Sequence, residues 1–335
     1  MPKKERENSR PEKEQTEVFV GRSSLVLLVV LAVVGSWLFF NDVPLHRMPV
    51  GTVPVDAPIG GGSFEPQERI RIATFNLDGF DSTKAAQGDV VAAIAHIFAT
   101  FDVIAVQEIE SSEHHLLPTI VDQLNQRHGS FDFVVGPRVG RYGRQQQFGF
   151  VYNRHAVEID RYATYTVNDP DDLINAEPLV CCFRAKGTGQ EHAFTFTLVN
   201  IHTHHQEVDR ENALLDDLFA SVRNDGRGED DVILLGNFSA SAAQLQRDGA
   251  LPGMTFIVGD EVWSEDFHDN LVLDASATTE FTGRSGVLDF LRDLNIDVAT
   301  ATRISRHFPV WAEFSVSEGG TPGYVARGRM TRCTR

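Results

Sequence analysis

The stretch FTFTLVNIH, residues 194–202, sets Phe194, Phe196 and Leu198 on one side of the chain and Thr195, Thr197 and Val199 on the other. Strict alternation is the period-two signature of a β-strand with one buried face. The run closes on a polar residue, His202. Working outward, short apolar runs of the same kind recur: RIRIATFNL (69–77), FDVIAVQEI (101–109), FDFVVGP (131–137), FGFVYN (148–153), LVCCFRA (179–185), DVILLGNF (231–238), DNLVLD (269–274) and PVWAEFSV (309–316). Amphipathic stretches lie between some of them, at 89–98, 116–127 and 211–223. In the last of these, Leu214, Leu215, Leu218 and Phe219 share one helical stripe. Strands dominate and helices intervene, which predicts an α/β (α+β) layered sandwich, two sheets packed face to face with helices outside.

At 335 residues the chain is long enough for a large buried core, and 42% hydrophobic with 23% charged residues excludes a wholly disordered or collagen-like protein. Lys+Arg 30 against Asp+Glu 47 gives a net charge of -17, so there is no basic footprint for bulk nucleic acid, and a phosphate substrate would need local help such as a metal. Cys181 and Cys182 are adjacent and Cys333 lies near the C-terminus, a spacing that fits neither a metal finger nor a disulfide framework. Within LVCCF the pair reads as core or edge thiols.

Residues 23–41, SSLVLLVVLAVVGSWLFFN, carry no charge and end in an aromatic cluster. Such a run is near the short end of the roughly 17 to 25 residues that cross a bilayer. The leader before it is long and charged, and no small-x-small pattern follows Phe40, so an uncleaved anchor is expected over a cleaved signal peptide. Lys3, Lys4, Arg6, Arg10, Lys13 and Arg22 precede the run and only Arg47 follows closely, which keeps the N-terminus cytoplasmic and the folded part outside. The expected layout is a disordered cytoplasmic leader at 1–22, a transmembrane helix at 23–41, a Pro/Gly-rich linker at 42–68, one folded domain at 69–317 and a flexible tail at 318–335.

Each apolar run tends to end in a residue that a buried strand does not choose: Asn76, Glu108, His202, Asn237, and His307 just before PVWAEF. Singly, each is what a strand end needs to meet water. As an ordered series they are more specific. IRIATFNL with Asn76, FDVIAVQEI with Glu108, GPRVGRYGRQQQFGFVYN, FTLVNIHT with His202, DVILLGNFSA, HDNLVL with Asp269 and SRHFPVWAEF with His307 together resemble the endonuclease/exonuclease/phosphatase superfamily, over roughly 69–314.

That resemblance implies a four-layer sandwich with two mainly antiparallel sheets of the deoxyribonuclease-I-like kind. It implies a phosphodiester substrate or other phosphate-bearing ligand, and Mg²⁺ or Mn²⁺ as cofactor. Glu108, with Asn76 beside it, would hold the metal, since a hard cation prefers carboxylate oxygen and retains several waters. His202 and His307 would move protons or stabilise charge, with Asp269 supporting His307. Asn76 and Asn237 complete the catalytic set, and Arg144, Ser239 and Arg306 would contact substrate. The chain departs from the family pattern where GDFN reads GNFS, so that Asn237 and Ser239 replace an aspartate and an asparagine. It departs again where SDH reads Ser305-Arg306-His307, and where Gln146 takes the place of a glutamate that orients the first histidine.

An amide has the shape of a carboxylate without its charge or its ability to accept a proton, and losing one general base costs about 10²- to 10⁴-fold. A guanidinium beside Mg²⁺ repels it, although the same group can bind phosphate. Three readings follow: a membrane-anchored phosphodiesterase or nuclease weakened by these changes, an inactive homologue that binds a phosphate-bearing ligand or protein partner in the same cleft, and a transition-metal hydrolase using His202, His204 and His205 of HTHH.

Overall fold

The computed structural model describes residues 68–110, 115–141, 145–259, 268–293, 295–320 and 323–325, all within the unit Ser63–Arg335. The expected leader, anchor and most of the linker lie outside the described residues. Among the described residues, no helix is long and apolar enough to cross a membrane.

Twelve strands follow in chain order: β1 (Arg69–Phe80), β2 (Val103–Ile109), β3 (Phe131–Val139), β4 (Gln146–Asn153), β5 (Val157–Thr166), β6 (Leu179–Ala185), β7 (Thr195–His202), β8 (Val232–Asn237), β9 (Thr255–Phe256), β10 (Asp269–Leu273), β11 (Phe281–Val287) and β12 (Val310–Ser315). They form two six-stranded sheets, ordered β11-β12-β1-β2-β4-β3 and β5-β6-β7-β8-β10-β9. Each sheet is mixed, with one parallel pair, β1 with β2 and β7 with β8, among antiparallel neighbours. A parallel pair needs a crossover, and helices supply it: Gly88–Phe98 joins β1 to β2, and Val208–Asn212 with Leu215–Arg223 join β7 to β8.

The inner faces of the two sheets make the main core, dominated by phenylalanine. Phe194 and Phe196 stack at 4.8 Å, Phe183 and Phe196 at 5.5 Å, and Phe194 meets Phe314 of the other sheet at 5.7 Å. At roughly 25 cal/mol per Å² and 150–250 Å² a ring, these side chains are large contributors to sheet pairing. Two outer cores lie under the helices. Val90, Ile94, Phe98, Ile120 and Leu124 cover β1 and β2, and Leu215, Leu218, Phe219 and Val222 cover Val199 and Ile201 of β7.

The alternation in 194–202 therefore marks a strand buried on both faces, because β7 is central in its sheet and roofed by a helix. Thr195 and Thr197, expected to face water, are fully buried. The expected single helix at 211–223 is broken at 213–214. There Glu211 turns inward and accepts the backbone N–H groups of Asn175 and His204. Cys181 and Cys182 are free, buried and in an internal strand, with burial pushing the Cys181 thiol up to about 12. Beyond β12 the first residues of the segment after 317 make contacts of their own. Glu318 accepts the Thr195 N–H at 3.1 Å, Gly323 N–H donates to Thr195 Oγ1 at 2.7 Å, and Arg184 bonds the Val325 carbonyl at 3.2 Å, so these residues dock on the domain.

Candidate active site

Topology places the polar strand ends on one rim. The C-terminal portions of the parallel strands β1, β2, β7 and β8 carry Asn76, Glu108, His202 and Asn237 there. Their antiparallel neighbours β4 and β10 begin there with Gln146 and Asp269, and His307 sits in the turn entering β12. His202, Asn237 and Asp269 are consecutive cross-strand partners.

Local backbone sets the aim of each group. Glu108 has φ 56°, in the left-handed region, and the register of β2 slips on both sides of it, against β1 after Asn76 and against β4 after Val106. A bulge of this kind re-aims a side chain at a cost of about 1 to 3 kcal/mol that the surrounding structure must hold. Gly236 has φ 145°, and a Cβ there would lie 1.9 Å from the Ile201 carbonyl oxygen. Only glycine lets β8 press this close to β7 and bring Asn237 beside His202.

Asn76 Nδ2 donates to Glu108 Oε1 at 3.1 Å, and Asn76 Oδ1 accepts the Asp78 N–H at 2.7 Å. With its oxygen so engaged, Asn76 presents its amide to Glu108 and holds that carboxylate in place. Glu108 Oε1 lies 3.6 Å from His202 Nε2. Across the ring, Gln146 Nε2 is 2.9 Å from His202 Nδ1, while Gln146 Oε1 accepts the Glu108 backbone N–H at 3.0 Å. The backbone donor fixes which end of the amide is oxygen. Gln146 Oε1 is also 3.2 Å from Nδ1, so Nδ1 can accept from the amide or donate to it, and Nε2 is the ring nitrogen turned toward Glu108.

His307 is held from both ends. Its Nδ1 is 2.5 Å from Asp269 Oδ2, its N–H donates to Ser305 Oγ at 2.9 Å, and Ser305 Oγ donates to the Asn76 carbonyl at 2.8 Å. Burial opposes the charged ring, but the Asp269 carboxylate, aided by Glu108 and Asp78, outweighs it and raises the His307 pKa above the ordinary histidine value. Asp269 is fully buried, with Oδ1 lacking a hydrogen-bond partner. Asn237 Oδ1 accepts from Ser239 N–H at 2.9 Å and Ser239 Oγ at 3.3 Å, and Ser239 Oγ also donates to the Thr203 carbonyl at 2.7 Å.

Arg306 does not stand as a lone cation beside a metal: its Nε and Nη2 grip both oxygens of Asp78 at 2.7 Å. Burial would lift the Asp78 carboxyl, yet Arg306 holds it below its usual value. Arg144 lies outside the described residues. The HTHH reading finds no support in clustering, because among the described residues no group of three or more close metal-capable side chains includes a histidine. Sequence reasoning missed Asp78, two positions beyond Asn76 on the same strand, and Lys84, whose ammonium caps the carbonyls of Leu77, Asp78 and Ile304. It also missed the buried pair beneath the site. Gln107 Nε2 donates to Asn200 Oδ1 at 2.7 Å, and Asn200 Nδ2 to the carbonyls of Val106 and Gly149, which ties the sheets together. Their signal was an amide placed one or two residues before each functional strand end.

The donor set fits a hard divalent cation. Glu108 is a nearly buried carboxylate at the rim, the amide oxygens of its neighbours are neutral, and Asp269 supplies fixed negative charge. One carboxylate with water completing the shell is what Mg²⁺ or Mn²⁺ accepts.

A profile of the Endonuclease/Exonuclease/phosphatase family matches residues 73–300. The chain is similar to deoxyribonuclease-1-like 1 of Homo sapiens, at 26% identity over 266 residues covering 75% of this chain and 86% of that protein. It is likewise similar to deoxyribonuclease gamma of Rattus norvegicus, at 26% identity covering 72% and 83%. Among solved structures, humanized D. rerio TDP2 superposes with a TM-score of 0.52 at 17% identity, covering 74% of this chain and 99% of that one, a likeness of fold.

Proposed function

This chain belongs to the endonuclease/exonuclease/phosphatase family, and on that premise we propose that it is a divalent-metal-dependent phosphodiester hydrolase of the nuclease type, slowed by amides where carboxylates would serve. The reading is carried by one observation: Glu108, His202 and the His307–Asp269 pair, spread over 200 positions, meet at one rim, with Glu108 3.6 Å from His202. Bound at Glu108, Mg²⁺ or Mn²⁺ would act as a Lewis acid toward a phosphate oxygen.

The residues divide the proton work. Asp269 takes the Nδ1–H of His307, which leaves the Nε2 lone pair of the neutral ring to accept a proton from attacking water. His202 turns Nε2 toward the cleft side where Glu108 lies, and a proton carried there can pass to the departing oxygen. Gln146 and Asn76 are positioning residues. Asn237 can donate or accept a hydrogen bond to the reacting phosphate but cannot serve as a base. Arg306, balanced by Asp78, offers its exposed edge to a phosphate. The apolar run at 23–41 would tether the domain to a membrane, outside the cytoplasm.

A second reading has its own support in Asn237 and Gln146: a cleft that binds a phosphate-bearing ligand without turnover. Hydrolysis of bis(p-nitrophenyl) phosphate and of plasmid DNA by the purified full-length chain, with Mg²⁺ or Mn²⁺, separates the two. Turnover abolished by Glu108→Gln supports the hydrolase. An inert parent that still binds the diester supports the binding protein.

A further inference from the structure

The rim opposite the histidines carries a second concentration of carboxylates that this chemistry does not use. Glu229, Asp230 and Asp231 lie just ahead of β8, Glu280 just ahead of β11, and Glu318 beyond β12. β8 spans six residues, so this corner is roughly 20 Å from Asn237. Carboxylate oxygens of Asp231, Glu280 and Glu318 lie within 4.8 Å of one another, as do those of Glu229, Asp230 and Asp231.

Acidic clusters on surfaces are commonplace, but the centre of this one is interior, with Asp230 and Glu318 half-buried at its edge. Asp231 is 1% exposed and Glu280 3%. Buried polar atoms in folded proteins are hydrogen-bonded in the great majority. Here Asp230 Oδ1, both oxygens of Asp231, Thr278 Oγ1 and Glu280 Oε2 are buried without a hydrogen bond. Thr278 lies beside Asp231, close enough to favour its charged form, yet completes no bond of good geometry. The other oxygens are committed and fix the rotation of their groups: Glu318 accepts Thr195 and Gly320 N–H, Glu280 Oε1 accepts Gly319 N–H, and Glu229 Oε1 accepts Asp231 N–H. Arg227 acts on Glu229 electrostatically, but its guanidinium is bound to Asp225 and covers the Tyr165 ring.

We propose that Asp231, Glu280 and Glu318, with Glu229, Asp230 and the Thr278 hydroxyl beside them, form a binding site for a calcium-sized divalent cation. Carboxylate oxygens of three residues this close can share one ion, and a shell built mainly of carboxylates suits Ca²⁺, which takes roughly six to eight oxygens, whereas Mg²⁺ is usually held by one or two carboxylates and keeps its waters. Bound there, the ion cross-links the entrances of β8 and β11 to the segment after β12. The site is independent of the catalytic reading, since none of its residues lies on the histidine rim.

The test is a thermal melt of the full-length Glu108→Gln variant, in which the proposed catalytic cation position is disabled, titrated with CaCl₂ at pH 7.5 from an EDTA-treated start. Ca²⁺ at a hundredfold excess over its dissociation constant raises the Tm by about 5 to 10 °C, and Mg²⁺ raises it less. Adding Asp231→Asn removes most of the Ca²⁺ response. Glu280→Gln behaves the same way and serves if Asp231→Asn does not fold. Absence of any Ca²⁺ shift in Glu108→Gln overturns the proposal. So does a full shift in either acidic-corner variant, or stabilisation that tracks falling pH with no calcium response, the signature of carboxyls sharing protons.

Discussion

Restoring a carboxylate at Asn237 is the sharpest test of why this site would be slow. Asn237 is 5% exposed, and both side-chain hydrogen bonds it makes use Oδ1, from Ser239 N–H and Ser239 Oγ. Aspartate accepts both, so Asn237→Asp keeps the local structure and adds only charge. That charge lands opposite Asp269, its cross-strand partner, at about 5 Å. At an effective dielectric near 20 the repulsion is about 3 kcal/mol, which predicts a Tm in EDTA lower by about 6 to 12 °C for a domain of this size. Mg²⁺ offsets that repulsion, so the metal-dependent rise in Tm is larger in the variant than in the parent. The gain in catalysis is the worth of a general base, about 10²- to 10⁴-fold or roughly 3 to 5 kcal/mol of barrier. Initial rates on bis(p-nitrophenyl) phosphate against Mg²⁺ concentration, paired with melts in EDTA and in Mg²⁺, measure both effects. A folded variant no faster than its parent at saturating Mg²⁺, in a protein whose residual turnover needs Glu108, refutes the argument that the amide limits the rate.

The raised His307 pKa gives opposite trends in rate and stability. As a base His307 acts when neutral, so kcat/KM climbs with pH until it passes that raised pKa, and Asp269→Asn shifts the acid limb to lower pH while slowing turnover about 10²-fold or more. The His307–Asp269 contribution to stability is complete below the ordinary histidine pKa and is lost as pH rises through the raised one, so urea midpoints fall over that window in the parent and not in Asp269→Asn. Gln146→Glu keeps an acceptor for the Glu108 N–H and turns the contact with His202 Nδ1 into one that favours the imidazolium. Turnover at pH 7 rises about tenfold, and an unchanged rate would remove Gln146 from the account. Gly236→Ala drives a methyl into the Ile201 carbonyl at 1.9 Å and costs at least about 3 kcal/mol, read as a lower urea midpoint with loss of activity.

Much of this protein was legible before any coordinate. Period-two runs broken by helical stripes specify two sheets with helices outside, because burying one face of a strand forces alternation and a parallel pair forces a crossover. The order of Asn76, Glu108, His202, Asn237, Asp269 and His307 along those runs named the groups that meet at the rim, since strand ends are where polar side chains can reach a cleft. What the chain alone did not hold was pairing across space. That Arg306 is neutralised by Asp78, 228 positions away, that Gln146 bridges the His202 ring and the Glu108 backbone, and that Asp231, Glu280 and Glu318 share one interior corner are consequences of which strands lie side by side. Hydrophobic periodicity reports which face of an element is buried, and a residue's own neighbours carry no trace of a partner that only tertiary packing brings within 3 Å.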